Sequence, residues 1–464
     1  MNTELSHYKR IYFIGIKGVA MTGLAVICKQ RGFEVTGSDV AERFITDEIL
    51  EKNRIAFFDS FNEQNLDWQP DLVIVGTSWS LANVEVAAVQ KLGIATMMDS
   101  ELRGVLSREK TTVAVAGVHG KTTTTALLAH MLSRAGNDPS YLIGTGRVAN
   151  LPANGHWGAG KNFIVEADEY VRSHGDTKPK FLDLQPAISI ITSLEWEHVD
   201  VYPTPESIEA AFKQLVAQTT QTVVACGDWD AIRRITQAAS PEVVLYGMEA
   251  HNQWRVTTIE PHSDRTIFRV GKDNKLFGQF SVPLFGQHNA LNALACIVVA
   301  TKLGLSIEQI ADGLRSFSGT QRRFDVSERD GTIFVDDYAH HPTEVRETLR
   351  AIRHRYPERR VIVVFQPHMA SRTKALLTDF AGAFGDVDQV IVADIFASAR
   401  ESSHDITSEE LAAAIKKNHP NVVSGGDLNQ VIELLQKQSY AGAVLVTMGA
   451  GDVYRVRDKL LDKK

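Results

Sequence analysis

At 464 residues the chain is about three times the ~150-residue domain prior, which predicts two to four domains and excludes a single small binding module. Its 44% hydrophobic and 23% charged residues, with 33 Gly and 14 Pro, are ordinary globular usage and exclude a long disordered arm. A formal charge of -7 excludes a dominant basic surface, so nucleic acid is not an expected partner, while a local basic pocket for a small phosphate ligand is compatible with it.

In chain order, Arg10-Ile11-Tyr12-Phe13-Ile14 reads as a strand that turns at Gly15 to Gly18 and enters a helix over residues 21–31. Strands follow at Glu34-Val35-Thr36, ending in Gly37-Ser38-Asp39, and at residues 71–75. This is a small open α/β domain over residues 1–108. A second domain, 109–316, opens with a strand at residues 111–116 that runs into a glycine loop and a helix over 122–135. Further strands are expected at 163–165, 187–191 and 222–225, then a small antiparallel sheet including 266–270 and 278–282, then a helix over 288–303. The third domain, 317–464, alternates strands at 333–335, 361–365, 389–393 and 444–447 with helices at 344–355, 376–384 and 408–417. The fold class is therefore α/β, with doubly wound first and third domains around a central nucleotide-binding one.

Cys28, Cys226 and Cys296 are far apart, odd in number and set in apolar runs, as reduced core thiols are. No segment reaches the ~18 apolar residues of a membrane span, and residues 1–7 lack the pattern of a secretory leader, so a cytoplasmic location is expected.

The sharpest motif is Ala116-Gly117-Val118-His119-Gly120-Lys121-Thr122-Thr123 between a strand and a helix. Glycines let backbone N–H groups approach phosphate oxygens, the helix N-terminus favours negative charge, Lys121 reaches terminal phosphates and Thr122 suits magnesium. The spacing departs from the general phosphate loop, because Val115 stands where the first glycine usually is. Two acidic strand ends follow. Glu166, Asp168 and Glu169 repel one another unless a cation neutralises them, and Glu195, Glu197, His198 and Asp200 form a second cluster. His288 and Asn292 lie one turn apart on a helix, suited to stacking on adenine and reading its edge. Arg322 and Arg323 offer guanidinium groups to phosphate, and Arg372, beyond a later strand, to a substrate carboxylate. The adjacent His340 and His341 lack helical i,i+4 spacing and cysteine partners, so metal is not expected there.

Together these motifs, in this order and over nearly the whole chain, resemble the Mur ligase family of ATP-dependent amide-forming enzymes. The loop Gly15-Ile16-Lys17-Gly18-Val19-Ala20-Met21-Thr22, Arg322-Arg323-Phe324, Gln366 to Thr373 and Met448-Gly449-Ala450-Gly451-Asp452 are similar to its alanine-adding branch. The resemblance implies three domains and a reaction joining L-alanine to the lactyl carboxylate of UDP-N-acetylmuramate through an acyl phosphate, giving ADP and phosphate in peptidoglycan precursor synthesis. It implies Lys121, Glu166, His198 and Arg323 as catalytic residues, and Thr122, Glu166 and His198 as ligands to magnesium or manganese. ATP contacts fall on Gly117, Val118, His119, Gly120, Lys121, Thr122, Thr123, His288, Asn289, Asn292, Arg323 and, at the ribose, Asp337. The UDP-sugar falls to Gly15, Gly18, Met21, Thr22, Ser38, Asp39 and Asn83, and the amino acid to His340, His368 and Arg372. A monomer or weak homodimer is expected. Tyr170 and the 32-residue separation of Glu166 from His198 resemble instead the recycling branch, which adds the tripeptide L-Ala-γ-D-Glu-meso-diaminopimelate. Lys17, Ala20, Ser193 and Met369 depart from the family pattern, and Lys213 stands where some relatives carry a carbamylated lysine. From another class, an NAD-dependent dehydrogenase built on Gly15 and Gly18 with Asp39 at the ribose would leave the Lys121-Thr122 loop unexplained.

Overall fold

The apolar, β-branched runs form strands and the amphipathic stretches between them form helices, in a computed structural model that describes residues 4–173, 175–396, 406–438 and 440–462. Residues 1–3 of the amino-terminal segment lie outside the described residues.

The first sheet has four parallel strands in the order Glu34–Ser38, Arg10–Ile14, Leu72–Val75, Ala95–Met98. Strand order reverses at Arg10–Ile14, so the Gly15 turn sits at the carboxyl edge where open sheets bind ligands. The helix Val19–Gln30 follows directly.

The second sheet has ten strands. Thr111–Ala116 is parallel to Asn162–Glu166 on one side and Ile188–Ile191 on the other, then come Thr222–Cys226 and Glu242–Gly247. The expected small antiparallel sheet is not separate. Trp254–Pro261 pairs in parallel with Glu242–Gly247 at Tyr246↔Trp254 and Gly247↔Arg255, and Thr266–Lys272 and Lys275–Val282 continue antiparallel beyond it. This extension pairs only the last two residues of Glu242–Gly247.

The third sheet has six strands in the order Asp325–Arg329, Thr332–Asp337, Val444–Met448, Val361–Phe365, Gln389–Ala393, Val422–Gly426, parallel except at Asp325–Arg329. The helix expected over 376–384 is instead two, Ala370–Ala375 and Leu377–Ala381. Leu376 leaves helical geometry between them (φ -105°, ψ 19°), which lets Leu376, Phe380 and Phe384 all turn into the core beneath Val361–Phe365.

One apolar core runs without a break through the first two sheets, whereas the third sheet has its own cores on its two faces. The first two are also joined by backbone, since Gly155 lies so close to Gly23 that a Cβ would overlap it, and Asn154 Nδ2 donates to Val19 O at 2.8 Å or less (2.7 Å). The third sheet meets the second mainly through charged and aromatic side chains, a joint that can open without exposing a core. The three cysteines are buried and free, and no described helix is long and apolar enough to cross a membrane.

Candidate active site

The strand Thr111–Ala116 is buried from Thr112 onward and delivers the glycine loop to the carboxyl edge of the second sheet. Gly117 (φ +132°) and Gly120 (φ +82°) hold the bend, and a Cβ on either would overlap Thr192 or Asn292. The helix Lys121–Arg134 then starts with its free N–H groups at the loop. Lys121 Nζ donates to Gly117 O at 2.5 Å and to Glu169 at 2.9 Å. Burial opposes the Lys121 charge, but Glu169 and Asp168 outweigh it and its pKa stands above the ordinary value. Val118 N donates to Ser193 O at 3.3 Å, and His119 N to Ser193 Oγ at 2.8 Å, so Ser193 supports the loop.

The three carboxylates after Asn162–Glu166 are kept apart by separate partners. Glu166 accepts from Thr122 Oγ1 at 3.2 Å and Gly144 N at 2.5 Å, Asp168 pairs with Lys180 at 3.0 Å, and Glu169 with Lys121. Burial raises the Glu166 carboxyl above its ordinary range, against the Gly144 N–H, Lys121 and Arg323. The expected metal set divides here. Thr122 and Glu166 are together, but His198, at φ +53°, puts Nε2 3.4 Å from Glu169, and its buried Nδ1 has no hydrogen-bond partner. Among the described residues the histidine and carboxylate atoms that cluster within 4.8 Å belong to His119, Glu195 and His341.

His119 is a bridge that the sequence did not reveal. One ring nitrogen meets Glu195, and the other lies 3.1 Å from Glu344 on the helix Pro342–Arg355 of the third sheet. Burial disfavours charge on the ring, but Glu344 and Glu195 overcome it and lift its pKa to about 10. Glu195 also accepts from Thr343 Oγ1 at 3.2 Å, and His341 Nδ1 lies 3.3 Å from it. The glycine loop, the second acidic strand end and the third sheet are thus joined through one imidazolium. His119→Ala would leave two partly buried carboxylates facing each other, and turnover is expected to fall about tenfold to a hundredfold with a smaller effect on thermal stability; steady-state kinetics beside a thermal melt check this.

A cavity of about 280 Å³ opens between the loop and the third sheet, lined by His119, Gly120, Thr123, His288, Asn292 and Arg323, with Asp337 at its far wall. Burial pushes the His288 imidazole down to about 4, so it is neutral and can stack on a base. Asn292 donates to Asn289 Oδ1 at 3.2 Å, and Asn289 donates to Phe285 O at 2.8 Å, which fixes both amides at the start of the helix Gln287–Lys302. Arg323 lies over the Tyr338 ring at 4.9 Å and 3.9 Å from Glu344, facing the cavity. Arg322 does not serve phosphate: it pairs with Asp336 at 3.2 Å and caps Gly449 O and Gly451 O, because a buried aspartate and two carbonyls at a strand end need a donor.

The expected amine-binding trio comes together. The His340 and His368 rings are 6.2 Å apart, and Arg372 Nη1 is 3.2 Å from His368 Nδ1. Burial holds the His340 imidazole down at about 3. Arg372 is not an open carboxylate fork, however, since Nε and Nη2 both reach one oxygen of buried Glu197, at 2.7 and 2.5 Å. A guanidinium this deeply buried requires a counter-charge, and Glu197 supplies it. Met369, with φ +71°, starts the short helix that carries Arg372.

At the first sheet, Gly15 and Gly18 form the turn and Met21 and Thr22 lie in the first turn of the helix after it, with Thr22 Oγ1 donating to Ile16 O at 2.8 Å. The Trp79 indole covers Gly15, a neighbour with no signal in the sequence. Asp39 accepts from Lys17 N at 2.8 Å, while Lys17 Nζ turns away to Val40 O at 2.8 Å and Asp47 at 3.2 Å. Ser38 and Asn83 are bonded within the first sheet's own neighbourhood. Ser38 donates to buried Glu85, and Asn83 Oδ1 accepts from Glu85 N and Val86 N, because the first turn of Val84–Leu92 needs acceptors. Ala20 is half-buried in the first turn of Val19–Gln30, and Lys213 is exposed on Pro205–Gln218.

Three family descriptions match in succession: Mur ligase family, catalytic domain, over residues 10–111; Mur ligase middle domain over 115–300; and Mur ligase, glutamate ligase domain over 322–451. The chain is 35% identical over 456 residues to the UDP-N-acetylmuramate--L-alanine ligase of Desulfitobacterium hafniense, covering 97% of this chain and 99% of the relative. The solved structure of the UDP-N-acetylmuramate-alanine ligase of Thermotoga maritima superposes with a TM-score of 0.83 at 25% identity, covering 98% and 99% of the two chains. A murein peptide ligase of Psychrobacter arcticus shares the fold, with a TM-score of 0.73 at 22% identity over 97% and 98%. The phosphate loop, the paired acidic strand ends and the third-sheet histidines therefore sit in the framework of their relatives from end to end, and the chain belongs to the Mur ligase family.

Proposed function

We propose that the protein is an ATP-dependent ligase joining L-alanine to the lactyl carboxylate of UDP-N-acetylmuramate, with ADP and phosphate as the other products, in peptidoglycan precursor synthesis. The observation that carries this reading is the full-length similarity to ligases of that name, which extends through the third region, where His340, His368 and Arg372 converge. In this reading residues 1–108 hold the nucleotide sugar, 109–316 hold ATP and 317–464 bring the amine, in the cytoplasm and as a monomer or weak homodimer.

The substrate carboxylate attacks the γ-phosphate, giving an acyl phosphate, and the amine then displaces phosphate from the acyl carbon through a tetrahedral intermediate. Charge grows on phosphoryl oxygen in the first step and on acyl oxygen in the second. Arg323 lines the cavity and Lys121 stands at the glycine loop beside it, and the two cations stabilise that charge. Neutral His288, with Asn289 and Asn292, receives adenine, and Asp337 accepts the ribose hydroxyls. Thr122 and Glu166 offer hard oxygen donors 3.2 Å apart, and the buried, proton-seeking Glu166 fits magnesium or manganese. Such an ion, when bound, neutralises phosphate charge. His198 and Glu169 would serve a second ion. The neutral His340 ring, with Nδ1 donating to Tyr338 O at 3.0 Å, offers Nε2 as a hydrogen-bond acceptor to the incoming amine.

Burial lifts the Asp337 carboxyl to about 6, against Arg323 and the N–H groups of Ala339 and Phe324, each at 2.8 Å. Above that pH it is ionised and accepts from ribose; below it the acid is protonated. The KM for ATP is therefore expected to rise about tenfold per pH unit below 6, and Asp337→Asn to flatten the profile. The deciding experiment for the function is phosphate release from ATP with UDP-N-acetylmuramate and L-Ala, L-Ser, Gly or the tripeptide as acceptor. Turnover with the tripeptide alone would replace this reading with the recycling activity.

A further inference from the structure

Beside the nucleotide cavity lies a second one of about 420 Å³, within the ~300–1,000 Å³ range of small-molecule sites. One wall is the hairpin tip around His262 and Ser263, between Trp254–Pro261 and Thr266–Lys272; Phe285 forms the floor. The other wall is the face of Pro342–Arg355 on which Glu347, Arg350, Ala351 and His354 recur at helical spacing, with Arg355 one turn beyond Ala351 at its edge. Gln287, Glu347 and Arg350 line both cavities and form the partition between them.

Arg355 is the informative residue. Its guanidinium lies 3.8 Å from the Phe285 ring centroid and 5.9 Å from that of Phe324, and its Nε is buried with no hydrogen-bond partner among the described residues. The acid that influences it, Asp264, is bonded to Arg265 at 3.0 Å. Other inward arginines of the third region are matched: Arg322 by Asp336, Arg353 by Asp388, Arg372 by Glu197. A guanidinium over an aromatic ring, with Arg350, His354 and His262 lining the same cavity, is an arrangement that receives a planar or tetrahedral oxyanion.

We propose that this cavity is a second anion site, distinct from the nucleotide site, that takes a small phosphate compound. Its walls come from the second and third sheets, so an occupant pins the two together. Its binding is therefore linked to nucleotide binding, and reciprocally. The phosphate group is the shared chemistry of two sources, an inorganic phosphate or an organic phosphate whose ring packs against the Phe285 side of the cavity.

Calorimetric titration of the full chain with pyrophosphate and, separately, phenyl phosphate tests this, with a non-hydrolysable ATP analogue and UDP-N-acetylmuramate both saturating. One saturable site is expected under those conditions. Arg355→Gln and, on the exposed hairpin tip, Ser263→Glu should each weaken it by about tenfold or more, with kcat and the KM for ATP unchanged when no anion is added. Tighter binding of pyrophosphate identifies the inorganic source, and tighter binding of phenyl phosphate the organic one. Absence of saturable binding with both blocking ligands present, or binding that neither variant weakens, overturns the proposal.

Discussion

Lys121→Ala is expected to lower ADP formation by about a thousandfold or more while leaving UDP-N-acetylmuramate binding unchanged. The ammonium sits at the mouth of the glycine loop, charged despite burial because Glu169 and Asp168 hold it so, and within reach of a phosphate that replaces the Gly117 carbonyl as its partner. Its removal takes a positive charge from the step in which phosphoryl oxygen becomes more negative. The sugar-binding turn lies on a different sheet, so a titration with the nucleotide sugar separates the two functions. Turnover near the wild-type level in this variant would remove Lys121 from the mechanism.

The second large effect is expected at Arg372. Arg372→Ala leaves Glu197 buried without its main counter-charge, at a cost of about 3–5 kcal/mol. The melting temperature should fall by about 10 °C. Burial alone would raise the Glu197 carboxyl, and Arg372, helped by His198, His340 and His341, brings it well below its usual range instead. The KM for L-alanine should also rise by at least about a hundredfold if Arg372 Nη1, beside His368, orients the amino acid. The double variant Arg372→Ala with Glu197→Gln distinguishes the two effects, because it removes the orphaned charge. Recovered stability with alanine use still lost supports a direct role at the amine, whereas recovery of both assigns Arg372 to the fold.

Much of the architecture follows from local pattern. Buried runs such as Thr111–Ala116 and Val361–Phe365 have only one use in a chain of this composition, and the loop between Gly117 and Thr122 carries its chemistry in its residue types. Local pattern fails where a neighbour distant in sequence decides. Ser38 and Asn83 are assigned to the sugar nucleotide by the resemblance alone, and only the fold shows that they also bond the buried Glu85 and the first turn of Val84–Leu92. Arg322 and Arg323 are adjacent and chemically alike, and only the position of Asp336 and the Gly449 and Gly451 carbonyls separates the structural arginine from the one that faces the cavity. The antiparallel strands after Trp254 read as a separate sheet because a two-residue parallel junction leaves no mark in either strand.

The sequence by itself determined the α/β class, the strand-loop-helix that serves a nucleotide, the order of the acidic strand ends and the family resemblance, because each rests on short-range periodicity or on residues adjacent in the chain. Only the tertiary structure decided which charges neutralise which. It set His119 between Glu195 and Glu344, gave Arg372 to Glu197, drew His198 to Glu169 and, among the described residues, left Arg355 Nε without a hydrogen-bond partner. The physical reason is that in a buried site the energy of a charge depends on the few side chains within about 4 Å, and those come from strands and helices far apart in the chain.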